Sequence, residues 1–161
     1  MKALHAISII ICLLVIQACD KIENSRIPYS YVFLELNLSY EDRALKDPLA
    51  YKVYTENQYN GRKVGFGGVL VFRGVERDVY GSFLYAFDTA CPYEAKNNIN
   101  VTIDNEYYAV CLTCGSKYDI MNGWGLPVEG PSLSNMRVNR LKKYTVSEYS
   151  SGVGEKAQIT P

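Results

Sequence analysis

Residues 31–38 read YVFLELNL. Val32, Leu34, Leu36 and Leu38 occupy alternate positions, so an extended chain turns all four to one side. That period of two predicts a strand with one buried face. Comparable short runs follow at 51–55, 64–73 (VGFGGVLVFR), 83–88 (FLYAFD), 99–103, 106–111, 116–120 and 139–148 (NRLKKYTVSE). Turn residues punctuate them: Asn60-Gly61, Gly81-Ser82 and Asp104-Asn105. Such dipeptides between β-branched and aromatic runs mark hairpins. The tract 40–49 has room for one helical turn, and nothing beyond the N-terminal leader sustains a helical period. The expected fold class is all-β, an antiparallel sandwich or barrel.

Composition agrees. The chain is rich in Tyr (14) and Gly (12), and Lys plus Arg equals Asp plus Glu at 17 each. A balanced charge gives no electrostatic ground for nucleic acid or a polybasic membrane contact. No internal repeat and no low-complexity segment is present, and 161 residues fit one domain.

The N-terminus has its own logic. Met1-Lys2 is a short basic start, and residues 6–16 (AISIIICLLVI) form an apolar run. A bilayer-spanning helix needs roughly 20 apolar residues, so this run has the length of a signal-peptide core instead. Ile16-Gln17-Ala18-Cys19 follows and resembles the lipobox of bacterial lipoproteins, with Gln17 a departure from the usual small or aliphatic residue. The resemblance implies cleavage before Cys19, acylation of Cys19, and a membrane-anchored protein of the cell envelope. The competing reading is an ordinary secretory leader with a chance cysteine. The expected organisation is a signal peptide at 1–18, a lipidated tether at 19–28, a β domain at 29–149 and a flexible tail at 150–161.

Five cysteines are present. With Cys12 in the leader and Cys19 the acylation site, Cys91, Cys111 and Cys114 remain for the domain. Cys91 sits in Ala86-Phe87-Asp88-Thr89-Ala90-Cys91-Pro92-Tyr93-Glu94. The other two sit in Cys111-Leu112-Thr113-Cys114-Gly115-Ser116-Lys117-Tyr118-Asp119, and Gly130-Pro131 comes later. This arrangement resembles the Rieske iron–sulfur family, which carries Cys-x-His in one loop and Cys-x-x-His in a second. The 17 residues between Tyr93 and Cys111 match the family's loop spacing, as do the Gly-Ser-x-Tyr-Asp run and the later Gly-Pro. The likeness covers residues 66–146 and is nearest to small Rieske-like envelope lipoproteins of Gram-negative bacteria. It implies a two-loop site at one tip of the β body.

The departure is as informative. Tyr93 and Cys114 stand where the family has histidines, and the one His of the chain, His5, lies in the leader. A Rieske cluster uses two Cys on one iron and two His on the other; that ligand set is absent. Three readings stay open: a metal-free site with a disulfide, either Cys91–Cys111, which the resemblance would bring close across the loop tips, or Cys111–Cys114, neighbours in sequence, as an oxidising envelope permits; an unusual [2Fe–2S] site on Cys91, Cys111 and Cys114, with Tyr93, Glu94 or Asp119 supplying oxygen; or zinc on the same three thiolates, completed by an acidic residue or water. The resemblance gives Ser116 and Tyr118 the role of hydrogen-bonding cluster sulfurs; otherwise Ser116 caps the loop and Tyr118 packs beneath it. Gly115, Gly123, Gly125 and Gly130 are expected in turns of positive φ. Trp124 is either a contact aromatic or a loop-packing one.

The function expected is non-enzymatic. One form is an anchored electron-transfer module working with an envelope protein partner; the other is a cofactor-free binding or structural lipoprotein. The mature chain lacks a histidine base and a Gly-rich phosphate loop. A thiol oxidoreductase at Cys111-x-x-Cys114 would draw its reactivity from a helix N-terminus, whereas this CxxC follows a strand and leads into a turn.

Overall fold

Alternating side chains on two central strands organise the protein around two cores. The computed structural model describes residues 25–57 and 60–161. The leader, Cys19 and the first part of the tether lie outside the described residues. Ten strands follow one another: β1 (Leu34–Asn37), β2 (Tyr51–Tyr54), β3 (Val69–Arg73), β4 (Leu84–Asp88), β5 (Val101–Ile103), β6 (Tyr108–Cys111), β7 (Lys117–Asp119), β8 (Leu126–Glu129), β9 (Lys143–Ser151) and β10 (Gly154–Thr160). Two short 3₁₀ turns, Arg43–Lys46 and Pro131–Asn135, complete the elements. The fold is all-β. No helix among the described residues is long and apolar enough to cross a membrane.

All pairings are antiparallel. One sheet has the order β1-β10-β9-β4-β3-β2, and a smaller one has the order β5-β6-β7-β8. On β3, Val69 and Val71 face one core while Leu70 and Phe72 face the other; on β4, Leu84 and Ala86 oppose Tyr85 and Phe87 in the same way. The first core gathers Leu34, Leu36, Leu45, Tyr144, Val146 and Ile159 on the inner face of the larger sheet. The second joins β3 and β4 to the smaller sheet through Val101, Ala109, Tyr118, Ile120 and Leu141, and it contains Cys91 and Cys111. Strands buried on both faces read as unbroken apolar runs, which is why VLVF and LYAF show no alternation.

The expected first strand and helical turn match. Val32, Leu34, Leu36 and Leu38 are all buried, and the tract 40–49 supplies one 3₁₀ turn. The tail expected at 150–161 needs correction. Residues 154–160 form β10, which lies between β1 and β9 with Ala157 and Ile159 fully buried. The boundary at residue 29 also moves. Ser25 Oγ donates to the Arg140 carbonyl at 2.8 Å, the Arg26 N–H donates to the Val138 carbonyl at 2.8 Å, and Ile27 is buried. The end of the tether is thus laid along the body, where its backbone donors find partners.

Candidate metal centre

The two cysteine turns open from the ends of β4 and β6, strands that belong to different sheets. Cys91 follows β4, whose last residue, Asp88, is fully buried. The Asp88 carboxylate accepts from the N–H groups of Phe66 (2.6 Å), Gly67 (3.0 Å) and Ala90 (2.8 Å) and from the Tyr144 hydroxyl (2.6 Å). A buried carboxylate survives when its lone pairs are filled this way. The arrangement ties the glycine-rich entry to β3 to the residue before Cys91. Beyond it the chain turns: the Cys91 N–H donates to the Ile99 carbonyl at 2.9 Å and its carbonyl accepts from the Ala95 N–H at 2.8 Å.

Cys111 ends β6 and Cys114 sits in the turn to β7. The Gly115 N–H donates to the Cys111 carbonyl at 2.8 Å, and the Cys111 N–H donates to the Ser116 carbonyl at 2.9 Å. Closing so tight a loop takes a left-handed residue, and Gly115 supplies it at φ 75°. No helix begins here, so neither thiol has the helix N-terminus that activates CxxC oxidoreductases.

The turns bring the three sulfurs together. All lie within 4.8 Å of one another, and Cys91 Sγ is 3.7 Å from Cys114 Sγ. No disulfide joins them. Cys91 and Cys111 are fully buried and Cys114 is half-buried. Burial pushes the Cys91 thiol up to about 12, against hydrogen bonds from the Tyr118 hydroxyl and the Glu94 N–H that favour the thiolate. At Cys114 burial also opposes ionisation, but the Ser116 hydroxyl and N–H, with the other two thiols, outweigh it and hold this group below its ordinary value. Backbone N–H groups aimed at sulfur, as from Glu94 and Ser116, suit a metal-bound thiolate.

Polar groups ring the thiols. Tyr118 Oη is 3.4 Å from Cys91 Sγ and Ser116 Oγ is 3.3 Å from Cys114 Sγ. Both residues are fully buried. Tyr118 therefore packs beneath the loop and also meets sulfur, and burial, with the neighbouring Cys91, raises its hydroxyl far above the ordinary tyrosine range. It stays a proton donor. Tyr93 lies in the first turn but is 37% exposed, and its carbonyl accepts from Arg26 Nη1 at 3.1 Å. Trp124 is exposed. Gly115, Gly123, Gly125 and Gly130 all have positive φ, as expected.

Two site residues escaped the sequence reading, Ser132 and Asn139. Ser132 Oγ is 2.7 Å from Tyr118 Oη, its N–H donates to Ser116 Oγ at 3.2 Å, and its carbonyl accepts from Asn139 Nδ2 at 3.2 Å. The available signal was Gly130-Pro131 just ahead of Ser132, a dipeptide that starts a 3₁₀ turn.

The donor set decides which groups fit. A two-histidine cluster lacks both its histidine ligands here, since His5 is the only histidine. For a single tetrahedral ion the three thiolates supply three of four ligands within 4.8 Å of one another. With metal–sulfur bonds of about 2.3 Å, two thiolates on one ion stand about 3.8 Å apart, close to the Cys91–Cys114 separation of 3.7 Å. No family model, no curated protein and no solved structure matches the chain.

Proposed function

We propose that this chain is an envelope lipoprotein whose Rieske-like β domain presents a metal–thiolate centre in place of the family's two-histidine cluster. Cys91, Cys111 and Cys114 hold one soft ion, iron or zinc, and Cys19 carries the acyl anchor. The observation behind this reading is the convergence of three unpaired sulfurs from two separate turns within 4.8 Å. Soft thiolate sets select such metals, and a two-iron cluster would spread its protein ligands over two ions. An iron centre makes the module an electron carrier for an envelope protein partner. A zinc centre makes it a clasp that fixes the tip for the same contact.

The test uses the full chain, extracted from a bacterial host in detergent and purified without oxygen. The expected result is about one iron or zinc per chain, lost in each of Cys91→Ser, Cys111→Ser and Cys114→Ser. Iron near two per chain with matching acid-labile sulfide would replace the single ion with a cluster. Metal-free protein would end the metal reading. Acylation is read separately, as the mass of the N-terminal peptide and its loss in Cys19→Ala.

A second reading has its own observation, the 3.7 Å approach of Cys91 to Cys114. In a metal-free protein those thiols form the disulfide, and the domain acts as a binding or structural module.

A further inference from the structure

The contacts around the thiols form a closed circuit: Cys91 to Tyr118, Tyr118 to Ser132, Ser132 to Ser116, Ser116 to Cys114, and Cys114 back to Cys91. Ser132 is the member that lies farthest from the cysteine turns in sequence. We infer that Ser132 is a positioning residue, which donates its hydroxyl proton to Tyr118 and thereby directs the Tyr118 proton onto the Cys91 sulfur. The inference rests on the thiol cluster being the functional site, and not on which metal it takes.

The chemistry follows from counting protons. A phenol carries one O–H, and its oxygen can accept as well as donate. At 2.7 Å the Tyr118–Ser132 contact is the shortest in the circuit. With Ser132 donating there, and the Ser116 hydroxyl also acting on the phenol oxygen as a donor, the phenol proton is directed to Cys91 Sγ at 3.4 Å. Ser132 itself is held from both sides of its backbone, by Ser116 and Asn139, and is fully buried. The segment leading to it is pressed against the second turn. A Cβ at Gly130 would lie 2.7 Å from Ser116 Cα and 2.8 Å from the Gly115 carbonyl oxygen, and the residue sits at φ 83°. The circuit is therefore built on backbone, with little freedom to rearrange.

The test is infrared spectroscopy of the reduced, metal-free full chain, reading the S–H stretch of Cys91 assigned by its loss in Cys91→Ser. Ser132→Ala is expected to shift that band, and Ser132→Thr, which keeps the hydroxyl, to restore it. In a Tyr118→Phe background Ser132→Ala is expected to add no further shift, because its route to the sulfur is gone. An unmoved band in Ser132→Ala, or an equal shift in both backgrounds, overturns the inference. A second measurement needs no serine variant. The C–O stretch of Tyr118, assigned by Tyr118→Phe, should be that of a phenol that both accepts and donates, and a donor-only signature ends the proposal. Protein that never takes up metal ends the reading of the previous section and leaves these bands to decide this one.

Discussion

Cys91 and Cys114 come from different turns, yet their sulfurs are 3.7 Å apart, while Cys111 shares a turn with Cys114. Sequence neighbourhood would favour pairing within the CxxC; the fold favours the partner across the loops. In metal-free form and treated with a small-molecule disulfide, the protein should form Cys91–Cys114 and leave Cys111 as the free thiol. Peptide mapping under non-reducing conditions reads the pairing. A Cys111–Cys114 bond in its place would mean the turns do not meet as described.

Asp42 gives the fold a pH dependence. It is buried, and it accepts from the Tyr54 hydroxyl at 2.6 Å, Lys52 Nζ at 2.7 Å and the Asn37 N–H at 2.9 Å. Burial opposes its charge, but these bonds together hold its carboxyl below the ordinary value. A depressed carboxyl stabilises the fold above its unfolded-state value near 3.9 and ceases to do so as pH falls through the folded value. Asp42→Asn is thus expected to cost about 2 kcal/mol at neutral pH. Denaturant titrations at pH 7 and pH 3 should show the difference shrinking in acid.

Ile159 tests the status of the C-terminus. Fully buried on a strand flanked on both sides, it should behave as core. Ile159→Ala is expected to destabilise by about 2–5 kcal/mol, measured by thermal or chemical unfolding. A loose tail would lose almost nothing.

The parts of the fold that were legible in the sequence are those where one local signal dominates. Residues 31–38 alternate cleanly, Asn60-Gly61 and Asp104-Asn105 mark their turns, and β3 and β4 announce themselves as apolar runs. Two strands were missed for identifiable reasons. In β8 (LPVE), Pro127 removes a backbone donor and argues against a strand; the segment is tolerated because it lies at the edge of its sheet. In β10 (GEKAQIT), only Ala157 and Ile159 are apolar, and a strand that buries so little looks like a polar tail until its neighbours are seen. At the site, the three cysteines were readable from type and spacing. Ser132 was not, because its importance comes from a contact with Tyr118 made through tertiary packing.

The party wall formed by β3 and β4 has one more effect. Each of these strands lends alternate side chains to both chambers, so neither chamber can be opened while the other stays shut. If the thiol tip, which lines the smaller chamber, takes up an ion, its binding energy is expected to raise the melting point of the whole protein in one cooperative step.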